Sequence, residues 1–297
     1  MCRFKSGIIL KTRCVIAEGA DDSHSNLLES LGIEDTRENA MRKFVRVELT
    51  PVNDEWWTNP DTWEISVDQD IVPDWFDIDR EKYFEEFRNA VKVWWQEHVR
   101  VDQKIDELSS GYYRLKRCEV KKLLNDVQAM LDNSTVQKML DNSTVQKMLD
   151  NSTVQKMLGN STVQAMLGNS TVQAMLDNST VQEMWGNSTV QKMCDNSTVQ
   201  EMWGNSTVQK MLGNSTVQAM CDNSTVQAMC DNSTVQEMWG NSTVQKMWGN
   251  STVQEMLDNS TVQKMWGNSI ARDCHNRKIR ISSSCNYEIV KHENKED

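Results

Sequence analysis

Eight cysteines and four histidines are the residues of this 297-residue chain that could ligate a metal or act as nucleophile and base. Their spacing supports neither use. Cys2, Cys14, Cys118, Cys194, Cys221, Cys230, Cys274 and Cys285 form no Cys-x-x-Cys pair, and His24, His98, His275 and His292 do not complete a zinc-ligand pattern. Asp68, Asp70, Asp74, Asp77 and Asp79 gather around Pro73-Asp74-Trp75-Phe76, but the cluster lacks the glycine and terminal glutamate of a calcium loop and reads as a solvated loop. There is no GxGxxG, P-loop, GxSxG or HExxH. The chain is therefore read as non-enzymatic, with no cofactor and no metal.

One further chemistry is suggested by number. Of the 18 methionines, 16 recur every nine residues from Met130 to Met265. A methionine row can bind a soft metal, but a flexible apolar side chain repeated without exception is better explained as core filling. The unit around it is Asn-Ser-Thr-Val-Gln-x-Met-x-(Asp/Gly), whose Asn-Ser-Thr-Val-Gln part occurs fifteen times, first at 133 and last at 259. Asn-Ser-Thr is also a glycosylation sequon, yet with no secretory leader in view it reads as a turn.

A repeat this regular must bury its apolar side against its own neighbours. A continuous helix fails, because nine residues are about two and a half turns and would throw successive Val and Met residues to opposite sides. The sequence predicts a mainly β fold: a parallel β-solenoid with about two nonapeptides per 18-residue coil and Asp/Gly-Asn as the turn. The residue after Gln is Lys138, Lys147, Lys156, Ala165, Ala174, Glu183, Lys192 and Glu201 in succession, so it faces solvent. Val136, Met139 and their equivalents face inward, with Ser at the inner corner. Each repeat is expected to supply two three-residue strands, and the invariant Asn a ladder that satisfies turn backbone groups.

The residue after Met is Leu, Trp or Cys. Trp185, Trp203, Trp239, Trp248 and Trp266 are the candidate interaction stripe, since exposed apolar patches usually have a partner. Leu, Trp and Cys codons interconvert by single-base changes, as do Lys with Glu and Asp with Gly. The variable positions therefore also read as drift on a duplicated unit.

Residues 1–108 read as a small α+β domain. Ile8 to Ile16 suits a hairpin, Val45-Val47-Leu49 and Trp63-Ile65-Val67 alternate like half-buried strands, and Asp22 or Ser23 caps a short helix stopped at Gly32. A longer helix from Asp79 to His98 would place Phe84, Phe87, Val91, Trp94, Trp95 and His98 on one side. Residues 109–132 are expected to lead into and cover the solenoid, 133–267 to form it, and 268–297 to cap its far end and form the tail. The net charge is −11 and no segment is a basic stripe, which disfavours direct nucleic-acid binding. No run is long and apolar enough for a membrane, so a cytoplasmic protein with reduced thiols is expected.

The nonapeptide Asn-Ser-Thr-Val-Gln-Lys-Met-Trp-Gly (241–249), with Phe44-Val45-Arg46-Val47-Glu48, Val72-Pro73-Asp74-Trp75-Phe76 and Gly111-Tyr112-Tyr113, resembles uncharacterised nonapeptide-repeat proteins of gut bacteria and their phages. Pentapeptide-repeat solenoids are similar in having one central inward residue, and the calcium-binding nonapeptide β-roll in its period. The β-roll's glycine pairs are missing here. Taken together, the expectation is an interaction protein: a rigid acidic scaffold with an unidentified protein partner, in one form a phage decoy or inhibitor of a host protein. The alternatives are a virion or fibre component and, more remotely, an ice-binding protein that uses the Thr135 ladder. The oligomeric state is left open.

Overall fold

The computed structural model describes residues 5–17, 22–124 and 128–273. Two compact units divide between Arg100 and Val101, earlier than the boundary expected at 108. The expected C-terminal cap beyond Asp273, with Cys274, His275, Cys285 and His292, lies outside the described residues, as does Cys2.

In the first unit, β1 (Lys5–Leu10), β2 (Arg13–Ile16), β3 (Phe44–Thr50) and β4 (Glu64–Val67) form an antiparallel sheet in the order β2-β1-β3-β4. Alternation in β3 buries Val45, Val47 and Leu49 completely. Ser23 caps α1 (His24–Ser30), its hydroxyl accepting from the Asn26 amide, and Gly32 at φ +66° ends that helix as expected. The long helix Arg80–His98 lays Phe87, Val91 and Trp94 against the sheet, and His98 packs its ring on Trp94 at 5.4 Å. Gly7 makes room for this packing: a Cβ there would sit 2.4 Å from the Phe87 ring. Two short helices, Arg37–Arg42 and Asp74–Ile78, were not expected, the second replacing part of the proposed Asp-rich loop.

The second unit is the solenoid. Strands Lys104–Leu108, Tyr112–Lys116 and Glu119–Leu123 already belong to its coils, so residues 101–123 are part of the stack and not a separate cover. Two parallel sheets of ten and eleven strands face each other, with alternate nonapeptides assigned to alternate sheets. Between residues 135 and 265 every pairing is with the residue eighteen further on, as in Val154 to Val172 and Met157 to Met175, and in the first coils the step is fifteen to seventeen. The coil is thus the two-repeat turn read from the sequence.

Each repeat gives one five-residue strand, Thr-Val-Gln-x-Met, where two of three residues were expected. Val and Met stand three apart, which in a straight strand would put them on opposite faces, yet both are fully buried in coil after coil. The register explains this. It joins Thr, Val, the variable residue and Met to their equivalents and omits Gln, so the strand bends at Gln and turns both apolar side chains inward.

The turn residue, Asp or Gly, has positive φ in every copy from Asp141 to Gly267. Only residues that tolerate the left-handed region fit there, which accounts for the Asp/Gly alternation in physical terms. Five of the turn aspartates also cap the turn beneath: Asp177 Oδ2 accepts from the Gly159 amide at 2.9 Å, and Asp195, Asp222, Asp231 and Asp258 do the same for the turns one coil before them. The Asn ladder is present, but its amides bond to one another, as Asn187 Nδ2 does to Asn169 Oδ1 at 3.3 Å. The turn backbone is paired main chain to main chain, for example Asn169 N to Asp150 O. Ser lines the inner corner as expected, and most of these buried hydroxyls, Ser143 and Ser197 among them, have no hydrogen-bond partner.

Candidate interaction faces of the solenoid

Because one coil is eighteen residues, equivalent positions nine apart lie on opposite sides of the solenoid. This sorts the outward residue after Gln. On the ten-stranded sheet it is Lys138, Lys156, Ala174, Lys192, Lys210, Ala228, Lys246 and Lys264. On the eleven-stranded sheet it is Lys147, Ala165, Glu183, Glu201, Ala219, Glu237 and Glu255. The six lysines of the first row and the four glutamates of the second are all exposed. Drift on a single nonapeptide would scatter the two charges over both faces; from residue 165 onward the coil keeps them apart, and Lys147 at the start of the second row is the exception.

Like charges are direct neighbours within each row, Lys192 beside Lys210 and Glu183 beside Glu201. Such pairs cost a few tenths of a kcal/mol each, up to about 1. Among the described residues, none of these ten side chains is in an ion pair. The sequence contains no basic stripe when read along the chain; the fold assembles one.

The five tryptophans of the candidate stripe separate in the same way. Trp185, Trp203 and Trp239 border the glutamate row, in one ladder with Leu149, Leu167, Cys221 and Leu257, while Trp248 and Trp266 border the lysine row. Trp185 stacks on Trp203 at 5.2 Å and Trp248 on Trp266 at 4.9 Å. The ladders are chemically matched to their rows. Trp185, Trp203 and Trp239 each donate their indole N–H to the glutamate two residues earlier, Glu183, Glu201 and Glu237, at 2.9 to 3.0 Å. On the other side the Lys246 ammonium lies 5.9 Å from the Trp248 ring centre. Trp185 and Trp239 are the most open of the five, at 39 and 41 % exposure.

No protein-family model, curated protein or solved structure matches this chain. The geometry alone must carry the reading.

The first unit offers two lesser candidates. His24, Glu48 and Asp68 bring possible ligand atoms within 4.8 Å of one another, a grouping missed in the sequence because its members are far apart along the chain. His24 Nε2 donates to the Val47 carbonyl at 3.0 Å and Nδ1 lies 3.2 Å from Asp68 Oδ2. Burial, with the nearby Asp68 charge, pushes the Glu48 carboxyl up from its ordinary range. Asp68 is more than half exposed, and its contact with His24 accounts for the grouping without an ion. Beside it an open cleft of about 720 Å³ is lined by Asp35, Arg37, Arg46, Asp68 and Asp70, with Arg46 paired to Asp35.

Cys14, Cys194, Cys221 and Cys230 are free thiols. Burial pushes the Cys14 thiol up to about 12, which keeps it protonated and unreactive at neutral pH. Among the described residues no helix is long and apolar enough to cross a membrane.

Proposed function

We propose that the solenoid is a non-catalytic interaction scaffold that presents two rows of opposite charge, each bordered by an apolar ladder, to macromolecular partners. The observation that carries this is the sorting itself: exposed Lys and Glu rows on opposite sheets, with no ion pair to either row among the described residues. An invariant interior of Val, Met and Ser supplies rigidity, and the positions free to vary supply the surface. Trp beside charge is the composition of interface hot spots.

A decoy or inhibitor that engages another protein is one form of such a scaffold, and a fibre or particle component is another. The equal spacing of charges on the two faces favours the second.

The reading is tested with the full chain and a variant in which Lys138, Lys156, Lys192, Lys210, Lys246, Lys264, Glu183, Glu201, Glu237 and Glu255 are all alanine. Alanine already occupies this position at 174 and 228, so the fold should persist. Coupled to beads in a cell extract, the natural chain should retain a discrete set of macromolecules that salt releases, and the variant should not. Identical retention by both would overturn the proposal.

A further inference from the structure

The two charged rows have the same rhythm. The lysine row runs two Lys, one Ala, two Lys, one Ala, two Lys, and the glutamate row, after Lys147 at its start, runs one Ala, two Glu, one Ala, two Glu. Both rows are built on the rungs of the same coils, so their spacing is identical by construction, at about 4.8 Å per rung and about 14 Å per three-rung period. A linear array of paired positive charges therefore finds a matching array of paired negative charges in another copy of this chain.

We propose that the protein associates side by side with itself, the lysine face of one copy docking on the glutamate face of the next. This rests on the scaffold reading above and names its partner. With Glu183 and Glu201 opposite Lys192 and Lys210 of a neighbour, for example, the next doublet, Glu237 and Glu255, meets Lys246 and Lys264, and alanine meets alanine between them. Docking relieves the like-charge repulsion in the doublets that meet, because the four glutamates and the four lysines facing them each gain a neighbour of opposite sign, while Lys147, two rungs before Glu183, comes opposite Lys156. The Trp185–Trp203 and Trp248–Trp266 stacks border the rows that meet and supply apolar area to the same contact. The turn aspartates Asp141, Asp177, Asp195 and Asp231 follow strands of the lysine sheet, and among the described residues none forms an ion pair with the row. Since the two faces are different and opposite, the contact is heterologous and does not close on itself; it propagates into open lateral assemblies.

Sedimentation of the full chain tests this. The natural protein should form a concentration-dependent series of species at about 0.01 M salt, where charges act over about 30 Å, and revert to monomer near 1 M, where they act over about 3 Å. Two variants decide the geometry. One carries alanine at the six row lysines and the other at Glu183, Glu201, Glu237 and Glu255; circular dichroism melting confirms that each is folded. Each alone should remain monomeric. Mixed, they should form one-to-one dimers and nothing larger, because one retains only a glutamate face and the other only a lysine face.

A natural protein that stays monomeric at low salt, or variants that assemble as the natural chain does, would overturn self-association. If the monomeric natural chain still retained other macromolecules in the bead experiment, the scaffold reading would stand and this one alone would fall. Retention of a short DNA duplex by the lysine row, without self-association, would likewise overturn the proposal and identify the row as a polyanion site.

Discussion

At the scale of single residues, the inward and outward positions of the repeat predict opposite outcomes for substitutions a few residues apart. Val199 is fully buried in the mid-solenoid ladder, and Val199→Asp should destabilise by roughly 3–5 kcal/mol, because it places an uncompensated charge in an apolar stack. Lys192→Glu should change stability by no more than about 0.5 kcal/mol. Equal melting shifts for the two would refute the assignment. In the first unit, the raised pKa of Glu48 means that the folded state takes up its proton more readily than the unfolded chain. Its contribution is thus fully present below the unfolded value of 4.5 and is lost as pH rises through the higher folded value. Glu48→Gln should therefore melt higher than the natural protein near neutral pH, with the gap closing as pH falls toward 4.5. A gap that widens on acidification would contradict this. The inward residues were legible in the sequence because Val and Met never vary while their neighbour takes either charge. The proximity of His24, Glu48 and Asp68 was not, since a helix start, one strand and the residue that follows another meet there only after the sheet forms.

At the scale of elements, the turn is the most constrained part of the repeat. Gly186 has φ +68°, and a Cβ on it would come within 3.2 Å of the Gly168 carbonyl oxygen in the coil beneath. Gly186→Asp should be tolerated, because Asp occupies this place in seven other copies of the turn at similar φ. Gly186→Val should cost about 1–2 kcal/mol or more, since a β-branched residue is strained in the left-handed region. Thermal unfolding of the pair measures the difference, and similar losses would show that the turn relaxes. The strands were harder to read. Period-two alternation splits Thr-Val-Gln-x-Met into two short strands on paper. The actual strand stays continuous and bends at Gln, because eighteen-residue pairing continues on both sides of the bend.

At the scale of the whole solenoid, the coil length is what separates charge. Deleting one nonapeptide, residues 196–204, leaves every core rung a Val or Met and should cost little stability. It moves each later residue to the opposite sheet, however, so that Lys210, Lys246 and Lys264 join the side of Glu183. Association at low salt should then be lost. Deleting residues 196–213, one full coil, keeps the sorting and should retain association, though weaker by the charges removed. Sedimentation of the two deletions compares them directly, and equal behaviour would mean that the faces have no role. The sequence alone determined the repeat, its turn, its inward ladder and its two-per-coil period, because each follows from local constraints repeated at a fixed interval. Only the tertiary structure decided which repeats share a face. Along the chain Lys and Glu alternate in an acidic mixture, and closing the coil every eighteen residues places repeats that are neighbours in sequence on opposite sides and alternate repeats in contact.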